Sequence, residues 1–376
     1  MKIAAYVHWR RTVGNVTGVG RHMRAMTMGL AQAPGIDVTV MSPGSEMNAP
    51  GQQDTPLTTL KRVALPFSRG MMERIWWATH LPKAERYVPD ADWVYCGADA
   101  FVPTRKAFFA PTIHDLEVFE DDLPWSHRPG WAKARRNWRW RLTPIFKHAR
   151  IVVTVSEFSK QRMVQLLGVR PEQIVVVGNG VEESFFQNAQ SEQTIARAVE
   201  WRRKYGPYVV TVGGLGERKG APYLFDLADA LRDRKSDLRI LVSGINNPQY
   251  RSRQEATPNV VPLGYVNDND LPGLLKGAVA MVFLSRYEGF GIPIIEAMAC
   301  GTPVLVANFA SLPEVAGDAG IVVDVNQPQA IAEHLIDLER NPQRREQLIQ
   351  RGLERAAQFH WNSCVEKLLN AMKQRM

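Results

Sequence analysis

The sequence predicts an α/β protein of two consecutive doubly wound domains, and three observations carry that prediction. Short apolar, β-branched runs alternate with helical patterns twice over; the alternation lapses once, around residues 185 to 200; and after residue 326 only helical patterns remain. A chain of 376 residues is long enough to bury two such cores without covalent staples. The crevice between two domains of this kind is the natural place for a ligand.

In the first half the strands are read at "IAAYVHW" (3–9), "DVTVM" (37–41), "DWVYC" (92–96), "AFFAPTI" (107–113), "RIVVTVS" (150–156) and "QIVVVG" (173–178). Each is four to seven residues long and β-branched or aromatic, as a strand buried on both faces should be. Helical segments at 18–33 and 157–167 lie between them, so the sheet is parallel. Residues 44–60, rich in Gly, Pro, Gln and Thr without an apolar period, read as an exposed loop. After the polar "QNAQSEQT" the alternation restarts with "YVVTVGG" (208–214), "RILVSG" (239–244), "NVVPLG" (259–264), "VAMVFL" (279–284), "PVLVAN" (303–308) and "GIVVDV" (320–325). The boundaries follow as 1–188 for an N-terminal domain and 189–358 for a C-terminal domain. A helix at 359–376 is expected to pack back toward the N-terminal domain.

Composition excludes several classes. Cys96, Cys300 and Cys364 stand far apart, which suits neither a disulfide framework nor a cysteine zinc site, and they read as reduced thiols. The opening "MKIAAYVHWRR" turns basic too early for a signal peptide and reads as a first strand. No run approaches the roughly 18 apolar residues of a membrane span, so membrane association is expected to be peripheral. Of the net charge of +8, seven units belong to residues 1–190, with 24 basic against 17 acidic side chains.

The most informative stretch is "SRYEGFGIPIIEAMACGTPVLVAN" (285–308). Gly289 and Gly291 sit where a loop that follows a strand enters a helix. Such glycines let the backbone approach a ligand, and the free amides of the new helix offer partial positive charge to an anion. Glu288 stays on the loop and Glu296 falls about one and a half turns into the helix, so one carboxylate can face a sugar and the other a ribose on either side of a diphosphate. The plain alternative is two solvated glutamates and a turn. Upstream, "VGGLGERKG" (212–220) ends another strand with glycines and then places Arg218 and Lys219 before a helix, two fixed cations suited to a diphosphate.

With these stretches, "LVSG" (241–244), "LGYV" (263–266), "LPEVAGDAGIVVD" (312–324) and "FHW" (359–361), the C-terminal half resembles the retaining nucleotide-sugar glycosyltransferases of family 4 (group 1). In the first half "TGVGRH" (17–22), "TIHDL" (112–116), "TVSEFSK" (154–160) and "VVVGNGV" (175–181) resemble the same family in the same order. The resemblance implies the GT-B fold, two Rossmann-like domains facing a central cleft, with 1–188 binding the acceptor and 189–358 the nucleotide sugar. It also implies roles: Arg218 and Lys219 hold the donor diphosphate and stabilise the leaving group, Glu288 hydrogen-bonds donor-sugar hydroxyls, and the amides of Phe290, Gly291 and Ile292 meet sugar and phosphate. Glu296 holds the ribose, Val266 borders the nucleobase, His114 reaches the donor sugar, and Gly18 and Gly20 let a helix N-terminus approach phosphate or acceptor. The implied chemistry retains configuration without a protein nucleophile, a role not assigned to Glu288. One departure stands out: part of the family has an arginine after the "VG" of the phosphate loop, and here that donor-binding position is Gly214.

No cofactor is implied. "DAD" (90–92) and "DND" (268–270) look like metal-chelating aspartates, but the first precedes a strand and the second suits a helix N-cap, so no metal site is assigned. A histidine such as His114 after an apolar strand is often merely hydrogen-bonded in place; its position at a carboxyl strand end favours function.

The expected activity is transfer of a hexose, best mannose from GDP-mannose, to a hydroxyl of a glycan or lipid-linked glycan in bacterial surface polysaccharide synthesis. A UDP-sugar donor, a sugar-nucleotide epimerase on the same architecture, and a basic nucleic-acid-binding protein are the alternatives. The last is disfavoured because the aromatics lie mostly in buried-type runs. "WAKARRNWRWRL" (131–142) packs three tryptophans and five basic residues into a segment without acids. On a helical wheel Trp131, Trp138, Leu142 and Ile145 share an inward stripe, whereas Trp140 lies among cations. Pro144 is expected to kink or end the helix. Arg136, Arg139 and Trp140 are therefore candidate contacts with an anionic membrane, placing a cytoplasmic protein at the inner face of the cell membrane.

Overall fold

The computed structural model describes residues 1–14 and 16–376. The chain divides into two compact units, Met1–Asn179 with Trp361–Met376, and Gly180–His360. The first contains β1 (Lys2–Tyr6), β2 (Asp37–Pro43), β3 (Lys61–Leu65), β4 (Trp93–Cys96), β5 (Phe108–Ile113), β6 (Val152–Thr154) and β7 (Ile174–Val176). These form one parallel sheet in the order β3-β2-β1-β4-β5-β6-β7. The second contains β8 (Tyr208–Val212), β9 (Arg239–Ser243), β10 (Val260–Gly264), β11 (Met281–Phe283), β12 (Val304–Ala307) and β13 (Ile321–Val323), parallel in the order β10-β9-β8-β11-β12-β13.

The cores follow from strand alternation. Ile3, Ala5 and Val7 enter one apolar cluster of the first unit with Trp93 and Tyr95, while Ala4 and Tyr6 enter another with Val94 and Cys96. Both faces are thus apolar, as a parallel sheet covered on both sides requires. The helix Trp361–Gln374 covers one face: Cys364, Val365, Leu368, Leu369 and Met372, spaced at the helical period, join the cluster of Met26 and Leu30 from the helix Gly18–Gln32. Residues 180–188, read from the sequence as N-terminal, belong to the second unit. The Val181 amide donates to the Phe359 carbonyl at 2.9 Å, and Phe185 of the helix Glu183–Ala189 is buried.

Each strand read from the sequence overlaps an observed one, and β3 is the one missed. It is an edge strand with Lys61, Arg62 and Ala64 exposed, so it shows no apolar run. Residues 44–60 are a correction. They include the helical turn Gly44–Met47 and the short 3-10 helix Pro56–Thr59, bury Met47 and Leu57 in the core, and accept a hydrogen bond from Trp9 Nε1 at the Gln52 carbonyl (2.8 Å). Leu57→Ala is therefore expected to cost about 2–5 kcal/mol in denaturant unfolding; a change near zero would return this segment to the surface.

Candidate active site

In the second unit β8 and β11 are neighbours where the strand order reverses, and the loops leaving their carboxyl ends form one charged cluster. Lys219 Nζ donates to Glu288 Oε1 at 2.6 Å, and Arg218 Nη2 to Glu288 Oε2 at 3.4 Å. Arg218 also donates through Nε to the Tyr287 carbonyl (3.0 Å), and its own carbonyl accepts from the Arg286 amide (2.8 Å), so the two loops are laced together. Ser311 Oγ pins the second loop by donating to the carbonyls of Glu288 and Phe290, both at 2.9 Å. Burial alone would raise the Glu288 pKa; the charges of Lys219 and Arg218 outweigh it and hold the carboxyl below its ordinary range. Glu288 is buried, whereas the Arg218 and Lys219 side chains are 35% and 28% exposed. The cluster thus presents cations to solvent above a hidden carboxylate.

Gly214 is what lets these loops close. Its φ is +81°, and a Cβ there would stand 1.8 Å from the carbonyl oxygen of Ile245 on the loop after β9. No side chain fits, which gives a physical reason for glycine where part of the family carries arginine. Gly291 opens the helix Ile292–Ala299, in which Glu296 is 3% exposed. The side chains of Phe290 and Ile292 are buried, Phe290 edge-on to Phe359, so these residues can offer a ligand little beyond their backbone. Val266 follows β10 and is half-buried. Sequence reading missed a cavity of about 300 Å³ in the same unit, lined by Leu215, Asn246, Tyr250, Gln254 and Pro262. Its available signal was the polar "NNPQ" immediately after a strand at the ligand edge.

In the first unit three distant motifs meet. His114, after β5, donates from Nε2 to the Gly97 carbonyl at 2.9 Å, which leaves the Nδ1 lone pair as an acceptor. Its ring stands edge-on to His22, centroids 4.8 Å apart. His22 in turn is fixed by Asn179 Oδ1 at Nδ1 (2.8 Å) and by the Tyr95 hydroxyl at Nε2 (3.1 Å). Burial lowers the pKa of both rings, His22 down to about 3, so both are neutral at pH 7. His22 and Asn179 were quoted only within motifs and given no role, because their packing against His114 is tertiary. Gly18 is exposed in the first turn of its helix, which Thr17 caps by accepting from the Gly20 amide (3.4 Å). A Cβ on Gly20 would stand 1.8 Å from the Arg11 carbonyl oxygen, so that glycine is required by close backbone packing.

Residues 16–185 match the family model "Glycosyltransferase Family 4", and residues 192–355 match "Glycosyl transferases group 1". The O-antigen chain mannosyltransferase B of Escherichia coli is 31% identical over 289 residues, 75% of this chain and 74% of that protein. The chain belongs to glycosyltransferase family 4. A D-inositol 3-phosphate glycosyltransferase of Salinispora tropica is 30% identical over 220 residues, 53% of this chain and 46% of that one. HepE of Anabaena, solved in complex with UDP-glucose, matches with a TM-score of 0.72 at 17% identity over 100% of both chains, and the shared fold is GT-B.

In this glycosyltransferase the aspartate-rich pairs have structural duties. Asp92 Oδ2 accepts from the Lys2 amide (2.7 Å). Asp270 precedes the helix Leu271–Gly277 without capping it through its side chain, contrary to the sequence reading; Asn267 accepts from the amides of Asn269 and Asp270 (3.0 and 2.9 Å), and Asp270 pairs with Arg197. Among the described residues no three His, Cys, Asp or Glu side chains are grouped to hold a metal ion.

The helix Trp131–His148 runs through Pro144, which the sequence placed at a kink or end. Proline cannot donate to the carbonyl four residues back, that of Trp140, and Trp77 Nε1 donates to it instead at 3.4 Å. The indoles of Trp77 and Trp140 lie against each other, and Trp140 is still 53% exposed, with Arg136 and Arg139 also exposed. Trp131 and Trp138 are only half-buried; Trp138 packs against the core cluster of the first unit, as its inward position on the wheel predicts, and both indoles line a cavity of about 650 Å³ that His114 also lines.

Glu288→Gln removes the internal counter-ion of Arg218 and Lys219. The variant is expected to bind GDP or UDP on the order of tenfold more tightly by calorimetry; unchanged or weaker binding would show that the ion pairs do not compete with phosphate.

Proposed function

We propose that this glycosyltransferase transfers a hexose, best mannose from GDP-mannose, with retention of configuration, to a hydroxyl of a glycan or lipid-linked glycan in bacterial surface polysaccharide synthesis. The observation that carries the proposal is the Arg218, Lys219 and Glu288 cluster at the switch point of the second unit. Two partly exposed cations suit a diphosphate whose charge grows as the sugar leaves, the electrostatic help such a reaction most needs. The likeness to an O-antigen mannosyltransferase supports the sugar and the polysaccharide context.

Glu288, ionised and held by two cations, is a poor nucleophile and a good acceptor for sugar hydroxyls, which supports a reaction without a glycosyl-enzyme intermediate. A phosphate oxygen then takes the proton of the incoming hydroxyl. Glu296 holds the ribose, Val266 borders the base, and the neutral Nδ1 of His114 accepts from a sugar hydroxyl. The cations do the work a divalent ion does elsewhere, so the reaction is metal-independent. A UDP-sugar donor is the second reading, favoured by the UDP-glucose complex of the Anabaena protein.

A thermal-shift screen with GDP-, UDP- and ADP-sugars separates the donors, since a ligand selective for the native state raises its melting temperature. With the donor so found, Lys219→Ala and Glu288→Ala are each expected to lower kcat by about 10²–10³, and transfer is expected to persist in a strong chelator. Full activity in both variants would end the site assignment, and loss with rescue by Mn²⁺ would end the metal-independent reading.

No helix among the described residues is long and apolar enough to cross a membrane. The exposed Arg136, Arg139 and Trp140 suit peripheral contact with an anionic surface that presents a lipid-linked acceptor. Changing all three to alanine is expected to reduce co-sedimentation with phosphatidylglycerol-containing liposomes several-fold; unaltered co-sedimentation would remove the membrane contact.

A further inference from the structure

The cavity of about 650 Å³ in the first unit lies at that sheet's own switch point, where the chain leaves β1 at His8 and β4 at Asp99. The helix Arg69–Thr79 sends Arg69 and Glu73, one turn apart, into it. His8 joins them, with Nε2 3.0 Å from Glu73 Oε1 and Nδ1 3.2 Å from Arg69 Nη1. Arg141, from the helix Trp131–His148, lies over the Trp138 ring at 4.9 Å and stands 3.9 Å from Glu73 Oε2 and 3.7 Å from Asp99 Oδ2. Those two separations exceed hydrogen-bond length, so the guanidinium faces both carboxylates without being saturated by them.

This lining selects by chemistry. A phosphate would meet Glu73 and Asp99 as well as the arginines, whereas an uncharged polyol can donate its hydroxyls to the carboxylates and accept from the guanidinium. The indoles of Trp131 and Trp138 add apolar walls for the C–H face of a pyranose. Arg141, Glu73 and Asp99 also line a second cavity, of about 520 Å³, walled by Trp77, Phe101 and Trp140. We infer that the first unit binds an uncharged saccharide of two or more residues as acceptor, held by Glu73, Asp99, Arg141 and Trp138, rather than a phosphorylated acceptor. The inference rests on the transferase reading above and names the acceptor class that reading leaves open.

The test is an intrinsic tryptophan fluorescence titration of the full chain with methyl glycosides and disaccharides of mannose, glucose and galactose, beside inositol 1-phosphate and mannose 6-phosphate. At least one neutral saccharide is expected to give a saturable change, with the phosphorylated sugars at least tenfold weaker. Trp138→Ala and Arg141→Ala are each expected to weaken that saccharide at least tenfold; Arg141 is 43% exposed, so its loss leaves the core intact. No saturable neutral ligand, equal or tighter binding of the phosphorylated sugars, or undiminished affinity in both variants would overturn the inference. Thermal shifts with nucleotide sugars on the same samples separate the two readings. A nucleotide-sugar shift without saccharide binding sinks this inference alone, and saccharide binding without any nucleotide-sugar shift sinks the transferase donor site and leaves the cavity assignment standing.

Discussion

Both units depend on one constraint: every strand pair in their sheets is parallel, so every connection must cross a face of the sheet. Each sheet is started from an internal strand, β1 or β8, and wound first to one edge and then to the other. The two loops at the reversal leave in opposite directions and open a crevice at the carboxyl ends of the strands. In the second unit these loops carry Arg218, Lys219 and Glu288; in the first they carry His8 and Asp99, with His114 after the next strand.

The two units manage buried polar groups in opposite ways. Glu288 is kept charged, because two cations offset the cost of removing a carboxylate from water. His22 and His114 are kept neutral by burial, and their hydrogen bonds, to Asn179, Tyr95 and Gly97, suit the uncharged rings. A charged site made of paired groups can exchange partners with an anion. A neutral imidazole held in one tautomer instead offers a directional lone pair that does not change with pH near neutrality.

Much of this was legible in the sequence wherever a local pattern decides the outcome. Buried parallel strands show as apolar runs, which is why β8 to β13 were all read, whereas the edge strand β3 carries Lys61 and Arg62 and has no such run. Arg218, Lys219 and Glu288 were visible because the loops after β8 and β11 each gather glycines and charged side chains within a few residues. Partners far apart in the chain did not. Glu73, Asp99 and Arg141 come from three separate elements, and nothing local to any of them says that they face one cavity. Met47 and Leu57 were hidden by turn-rich neighbours, although they are core residues. Gly214 and Gly20 were visible as glycines, but the carbonyls of Ile245 and Arg11 that exclude a side chain are tertiary facts.

The helix Trp131–His148 shows how one segment can serve two unlike surroundings. Trp131, Trp138 and Arg141, at i, i+7 and i+10, turn toward the cavity, Arg136 and Arg139 turn to solvent, and Trp140, still half exposed, packs on Trp77 and lines the second cavity. A net excess of positive charge in the first half of the chain therefore coexists with a cavity whose arginines are matched by carboxylates. The outward face can attract an anionic surface over a Debye length, about 8–10 Å in physiological salt, whereas the cavity acts only at contact. Pro144 joins the two sides. By withholding an amide from the Trp140 carbonyl it leaves an acceptor that Trp77 of a different helix fills, and the resulting indole pair fixes the helix that carries Arg69 and Glu73 against the helix that carries Arg141. The residue that looked like a helix breaker is thus one of the features that hold the cavity's two walls in register.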